Sequence, residues 1–286
     1  MGKVNAGSFT ELTHGGFAFA GGFRDRGAKS SGLGCLAWSS RGHGYGGLPY
    51  MGSSDSVVPM SPEKTIIQLR EVAQALAPMG AALEVAMIDQ HSDELLPEER
   101  QLVESWAPHR QREFARGRMC ARRALDSLGV GVAGLLPDAD GIPQWPEGVV
   151  GSISHCRGLV MAMATNSGDC RLLGLDLEKI NRLSAGAISK VLHPIEESFA
   201  GSDQLKASIL FSLKEAFYKA QFPKWRVAGN FRDLALEVDL ANGAAKIIEM
   251  DARFKRELLR LRFRFRVVDD YVVSLCWMPG FDVSAS

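Results

Sequence analysis

From Ser61 onward the apolar residues fall into readable periods. The segment 62–78, PEKTIIQLREVAQALAP, has apolar residues at helical spacing, and Pro62 suits a first turn. Residues 96–129 predict one helix, a break near Pro108, and a second helix ending at Gly129. DADGIPQWPEG (138–148) is a Gly/Pro turn region. VVGSISH (149–155), LVMAMATN (159–166) and CRLLGLDLEKI (170–180) are short apolar runs that predict buried strands. HPIEESFA (193–200) and ASILFSLKEAFYKAQF (207–222) predict helices. RFRFRVVDDYVVSLCW (262–277) predicts a hairpin, with alternating Arg and Phe before an Asp-Asp turn. Helices and strands mix without the strict alternation of a doubly wound sheet, so the expected class is α+β.

The first sixty residues differ in texture. They hold 14 of the 30 glycines and show no helical or strand period. A segment that buries so little apolar surface does not repay its backbone entropy, so residues 1 to about 60 are expected to be a disordered extension. Met51 and Met60 offer later possible starts. A glycine-rich phosphate loop is the rival reading, but no GxxxxGK[ST] or strand–GxGxxG–helix context is present. The remainder divides into a first half, 61–160, and a second half, 161–286.

Charge narrows the function. Lys and Arg total 33 against 33 Asp and Glu, so the chain lacks the basic excess of a dedicated polyanion binder. No run of eighteen apolar residues predicts a membrane span, and the start has no basic-then-apolar leader. The cysteines, Cys35, Cys120, Cys156, Cys170 and Cys276, are odd in number and widely spread, with no zinc-type spacing. Reduced thiols and a cytoplasmic location are the expectation.

Three segments place polar chemistry among apolar residues. In GLDLE, Asp176 and Glu178 are two apart on an expected strand, so both point to one face while Leu173, Leu175 and Leu177 point to the other. Adjacent carboxylates repel unless a cation lies between them, and magnesium suits an all-oxygen site. The same spacing also describes the acidic outer face of a half-solvated strand. In FSLKEAFYKA, Glu215 and Lys219 are four apart, as are Lys214 and Tyr218. A Glu before a Lys at that spacing is an ordinary surface pair worth about 0.3–0.5 kcal/mol. Here Ile209, Leu210, Phe211, Ala216 and Phe217 make the helix largely buried, and buried charges need partners. In GSISHC, Ser154 and His155 stand at a strand end, where a histidine is a core residue or an anion ligand.

In this order, GSISHC, GLDLE and FSLKEAFYKA resemble the three signature motifs of the 4′-phosphopantetheinyl transferases, the subgroup that serves enterobactin synthetase in particular. The resemblance extends through REFARGRMCARRAL and GIPQWPEG and covers roughly Pro97 to Pro223. It implies a pseudo-twofold pair of α+β subdomains with coenzyme A and Mg2+ in the cleft between them. The implied reaction moves the phosphopantetheine arm of coenzyme A to a serine of an apo acyl, peptidyl or aryl carrier protein. By the same resemblance Asp176, Glu178 and Glu215 surround the metal, and Glu215 and Lys219 are catalytic. Arg110, Arg118, Ser154, His155, Lys214, Tyr218 and Lys219 contact coenzyme A.

Arg110, Arg112, Arg116, Arg118, Arg122 and Arg123 admit three readings: anion ligands first, then a solvated face, then an RNA-binding helix. One departure from the family pattern is that Gly131 to Ser154 contains no Lys or Arg, which removes a phosphate contact common in the family. Binding of nucleic acid or membrane is not expected, and a chain carrying both halves predicts a monomer. The competing reading is an inactive coenzyme A or carrier-protein binding module.

Overall fold

The structure is a computed structural model, and it describes residues 61–88, 95–131 and 134–280. The expected disorder of residues 1 to 60 lies outside them. In chain order the elements are α1 (Pro62–Leu76), β1 (Ala82–Met87), α2 (Pro97–Val103), α3 (Pro108–Ser127), β2 (Val149–Cys156), β3 (Leu159–Asn166) and β4 (Cys170–Lys179). Then follow α4 (Ala185–Val191), α5 (Glu197–Ala200), α6 (Gln204–Trp225), β5 (Leu234–Asp239), β6 (Ala244–Met250), β7 (Arg262–Val268) and β8 (Tyr271–Pro279). Prolines open α1, α2 and α3, where the missing N–H costs no helical bond.

Two antiparallel sheets result. One has the order β1-β3-β2, the other β4-β8-β7-β6-β5. The small sheet packs Val160, Ala162 and Ala164 against α3, through Cys120, Ala121, Ala124 and Leu125. The large sheet packs Leu172, Val272 and Cys276 against α6, through Leu210, Leu213 and Phe217. The opposite faces share a third core: Met161 and Met163 meet Leu173, Leu175, Leu177, Val273 and Leu275, with Leu69, Ala73 and Leu76 of α1. Each half is thus one helix on one sheet, α3 answering α6, which is the α+β class expected.

The expected division at 160/161 falls inside β3. The chain passes from one sheet to the other at the exposed turn Ser167–Asp169, between β3 and β4. β1, α4, β5 and β6 are elements the sequence reading did not name. The β7–β8 hairpin turns at Asp269, whose φ is 54°, and its alternation holds: Phe263 and Phe265 are buried while Arg262, Arg264 and Arg266 are exposed.

The sheets meet where β2 runs beside β4, and no backbone ladder joins these strands. Instead the β2 hydroxyls accept from β4 amides: Leu175 N donates to Ser152 Oγ at 3.0 Å, and Leu177 N donates to Ser154 Oγ at 3.1 Å. These bonds satisfy the amides on the side of β4 away from β8, which would otherwise be buried without partners.

Candidate active site

Asp176 and Glu178 share a face of β4 as their spacing requires, but that face is not solvated: they are 4% and 5% exposed. The solvated-face alternative is therefore excluded by burial. The face turns toward α6. Gly174, two residues before Asp176, lies against the α6 backbone, where an added Cβ would overlap the carbonyl oxygen of Ala216. This close approach brings Glu215 and Lys219 to the carboxylates.

A small cleft of about 60 Å3 forms there, lined by Ser154, His155, Asp176, Glu178, Glu215 and Lys219 among others. That volume suits an ion with one or two waters. Lys219 Nζ lies 2.8 Å from Asp176 Oδ1 and 2.9 Å from Ser154 Oγ. Ser154 Oγ donates to the same Asp176 oxygen at 3.0 Å. Arg182 donates to Glu178 Oε1 at 2.9 Å, which also accepts from Lys179 N at 3.0 Å. The Cys156 thiol lies 3.6 Å from that oxygen.

Among the described residues two buried carboxylate oxygens have no hydrogen-bond partner, Asp176 Oδ2 and Glu215 Oε1. Burial, then the Asp176 charge, pushes the Glu215 carboxyl well above the ordinary glutamate value. The same two causes raise Glu178, against the opposing pull of Arg182. Orphaned oxygens in an acid cluster fit a divalent cation, since oxygen donors of this kind suit magnesium. Among the described residues no three His, Cys, Asp or Glu side chains form a closed metal-ligand cluster, and Lys219 and Arg182 neutralise two of the acids instead.

His155 lines the cleft mouth with its Nδ1 3.9 Å from Glu113, which also pairs with Arg110 at 2.9 Å. Burial lowers the imidazole below its usual value, with Glu113 opposing. Arg110 thus stands one carboxylate away from His155.

Three residues expected at the cofactor are not among those that line this cleft. Lys214 is fully buried on the far side of α6, where Nζ donates to Glu196 at 2.6 Å and to the carbonyls of Val191 and Phe231, both at 2.9 Å. Five residues from Lys219 is about 140° around a helix, so the two lysines do not serve one site. The Tyr218 hydroxyl donates to the Asn230 carbonyl, and its ring packs edge-on against Phe217, Phe231 and Phe254. Arg118 is 6% exposed, with Nε donating to the Leu135 carbonyl and the guanidinium 4.2 Å over the Phe114 ring. Burial draws its pKa down to about 10. Arg118 does not line the cleft.

Arg122 is also structural, since it pairs at 2.7 Å with Glu99, a buried carboxylate that also accepts from Leu135 N. Sequence reasoning missed Arg182 and Arg226. Arg182 follows Glu178 at i+4, a spacing that could have marked it. Arg226 caps α6 with φ 53° and reaches the turn region of the first half, pairing with Asp138 and, at 3.0 Å, with Asp140. No local pattern connects positions so far apart.

A helix laid on a sheet in each half, with a buried acid–lysine cluster between the halves, agrees with what sequence comparison finds. Residues 98–165 match the 4′-phosphopantetheinyl transferase N-terminal domain, and residues 172–276 match the 4′-phosphopantetheinyl transferase superfamily. The 4′-phosphopantetheinyl transferase Svp of Streptomyces mobaraensis is 38% identical over 174 residues, covering 58% of this chain and 71% of Svp. The 4′-phosphopantetheinyl transferase PptT of Mycobacterium tuberculosis is 35% identical, covering 54% of this chain and 70% of PptT. Enterobactin synthase component D of Salmonella typhi is 30% identical, covering 40% of this chain and 54% of that protein. The chain belongs to the 4′-phosphopantetheinyl transferase superfamily. It is an enzyme of the kind that transfers 4′-phosphopantetheine from coenzyme A to apo carrier proteins.

Proposed function

We propose that Asp176, Glu178 and Glu215 hold a divalent cation, magnesium first, at which this chain carries out the transfer. The observation that supports this most directly is the pair of buried, unpartnered oxygens, Asp176 Oδ2 and Glu215 Oε1, beside one cleft. When bound, magnesium supplies charge neutralisation at the pyrophosphate as the bond to the leaving phosphate breaks.

The protein's own groups do the rest. Glu215 accepts the proton of the incoming serine hydroxyl, and its burial makes its carboxylate a stronger base than an exposed one. Lys219, held at the cleft by Asp176 and Ser154, offers its remaining N–H bond to the transferring phosphoryl group. His155 and Arg110, linked through Glu113, are the groups placed to meet a further phosphate of coenzyme A. Lys214, Tyr218 and Arg118 are withdrawn from that set, since their polar atoms are engaged away from the cleft.

The acceptors are apo acyl, peptidyl or aryl carrier proteins, siderophore assembly among their uses. Among the described residues no helix is long and apolar enough to cross a membrane. Cys156, Cys170 and Cys276 are free and buried, which supports a reducing, cytoplasmic setting. The cleft is lined from both halves of one chain, which supports a monomer.

The test is intact mass spectrometry of an apo carrier protein incubated with this protein, coenzyme A and magnesium, beside a chelator control. A gain of one phosphopantetheine that disappears with chelator is the expected result. A gain unaffected by chelator overturns the metal assignment.

A further inference from the structure

Ser154 and Ser152 do the same thing at the seam between the sheets, and Ser154 does something more. Each hydroxyl accepts a β4 amide, from Leu175 and Leu177 respectively for Ser152 and Ser154. The Ser154 hydroxyl also accepts from Lys219 Nζ at 2.9 Å and donates to Asp176 Oδ1 at 3.0 Å. A serine hydroxyl has one proton to give and two lone pairs to accept with. All three are used inside the protein, on a side chain only 4% exposed. The hydroxyl has no capacity left for a phosphate.

We infer that Ser154 is a positioning residue: it fixes Asp176 and Lys219 to the seam, and it is not a ligand of coenzyme A through its side chain. Its donated proton occupies Asp176 Oδ1 and so orients the carboxylate with Oδ2, the oxygen without a partner, free for a cation. Its lone pair holds Lys219 beside that carboxylate. The backbone bond from Leu177, the residue between Asp176 and Glu178, ties the strand itself to the same oxygen. One atom therefore both shares in joining the two halves and sets the aim of the acid and the lysine between them. The inference rests on the metal reading proposed above, and Ser152 supplies an internal control: it carries the seam bond without the contacts to Asp176 and Lys219.

The experiment measures Mn2+ binding, by paramagnetic resonance, to full-length wild type, Ser154→Ala, Ser152→Ala and Ser154→Thr. kcat and KM for coenzyme A are determined on the same preparations. Loss of a hydrogen-bond partner that orients a metal ligand typically weakens the site by roughly 10–100-fold, and Ser154→Ala is expected to fall in that range. Its kcat falls while KM for coenzyme A holds. Ser154→Thr, which keeps the hydroxyl, restores Mn2+ binding, and Ser152→Ala binds as wild type does.

Wild-type Mn2+ affinity in Ser154→Ala, together with a raised KM for coenzyme A, would make Ser154 a direct ligand and overturn the inference. Equal losses in Ser152→Ala and Ser154→Ala would reduce both to the seam, which also overturns it. No Mn2+ binding by wild type would overturn the metal reading, and the inference with it.

Discussion

Lys214 and Lys219 leave the same helix in different directions, each to a carboxylate: Lys214 to Glu196 at 2.6 Å and Lys219 to Asp176 at 2.8 Å. Lys214 and Glu196 are both essentially inaccessible, whereas the Lys219 side chain remains 19% exposed to the cleft. One pair anchors α6 in the second half and the other faces the chemistry.

Substitution should separate these roles. Lys214→Ala strands the Glu196 carboxylate in the core and is expected to cost about 3–5 kcal/mol, the usual cost of removing one partner from a buried pair. Lys219→Ala, whose side chain reaches the cleft, is expected to cost less stability than Lys214→Ala and to lower kcat by roughly 10²–10³, as for loss of a charge-stabilising donor. Denaturant titration beside turnover assays checks both, and a stable but inactive Lys214→Ala would refute the division.

Glu215→Gln keeps the shape of the side chain and removes the base. Its transfer rate is expected to fall by about 10²–10⁴, the range for a general base. Asp176→Asn weakens metal binding through a different atom. Circular dichroism should be unchanged in both variants, and transfer at the wild-type rate by Glu215→Gln would remove it from the proton-accepting role.

Gly174→Ala tests the approach of α6 to β4. The added methyl meets backbone, which has no rotamer with which to yield. A cost at the upper end of the usual 1–3 kcal/mol for overpacking is expected, about 3 kcal/mol, with lost activity because Asp176 and Glu215 sit on the two elements forced apart. Thermal melting and turnover measure the two effects together.

The buried thiols set an alkaline limit. Burial pushes Cys156 from 9.0 up to about 12 and Cys170 to about 11. Above about pH 9 the unfolded chain releases these protons while the native chain keeps them. Their contribution is therefore intact below pH 9 and is lost as pH rises toward 11–12, by at most about 1.4 kcal/mol per pH unit for each thiol. Urea midpoints from pH 8 to 11 should fall more steeply for wild type than for Cys156→Ala. Parallel slopes would show that this thiol plays no part.

What was legible in the sequence followed from local pattern. The alternation in RFRFRVV, the apolar run around GLDLE and the all-round apolar helix at 207–222 each carry their period in consecutive residues. β5 and β6 also carry a signal, Leu234-Ala-Leu-Glu-Val-Asp before Asn242-Gly243, a pair that favours a tight hairpin turn. β1 is short and only partly buried, so its pattern is weak. Glu215 and Lys219 line one cleft with Asp176 and Glu178. Motif membership says nothing about direction, and for Lys214 and Tyr218 the 100° step of the helix decides the side chain's destination. The saturated hydroxyl of Ser154 depends on contact between strands from different halves, which no window along the chain contains.

The turn Ser167–Asp169 is exposed, and a side chain added at Gly168 would meet open space. It joins two units whose other bonds to each other are non-covalent, among them the shared apolar core, the contacts of Ser152 and Ser154 and the Arg226 pairs. The molecule is in effect a heterodimer with a built-in tether. A nick at Gly168 should leave the two fragments associated and competent, and separately expressed fragments should reassemble by complementation, losing only the effective concentration that the short turn provides.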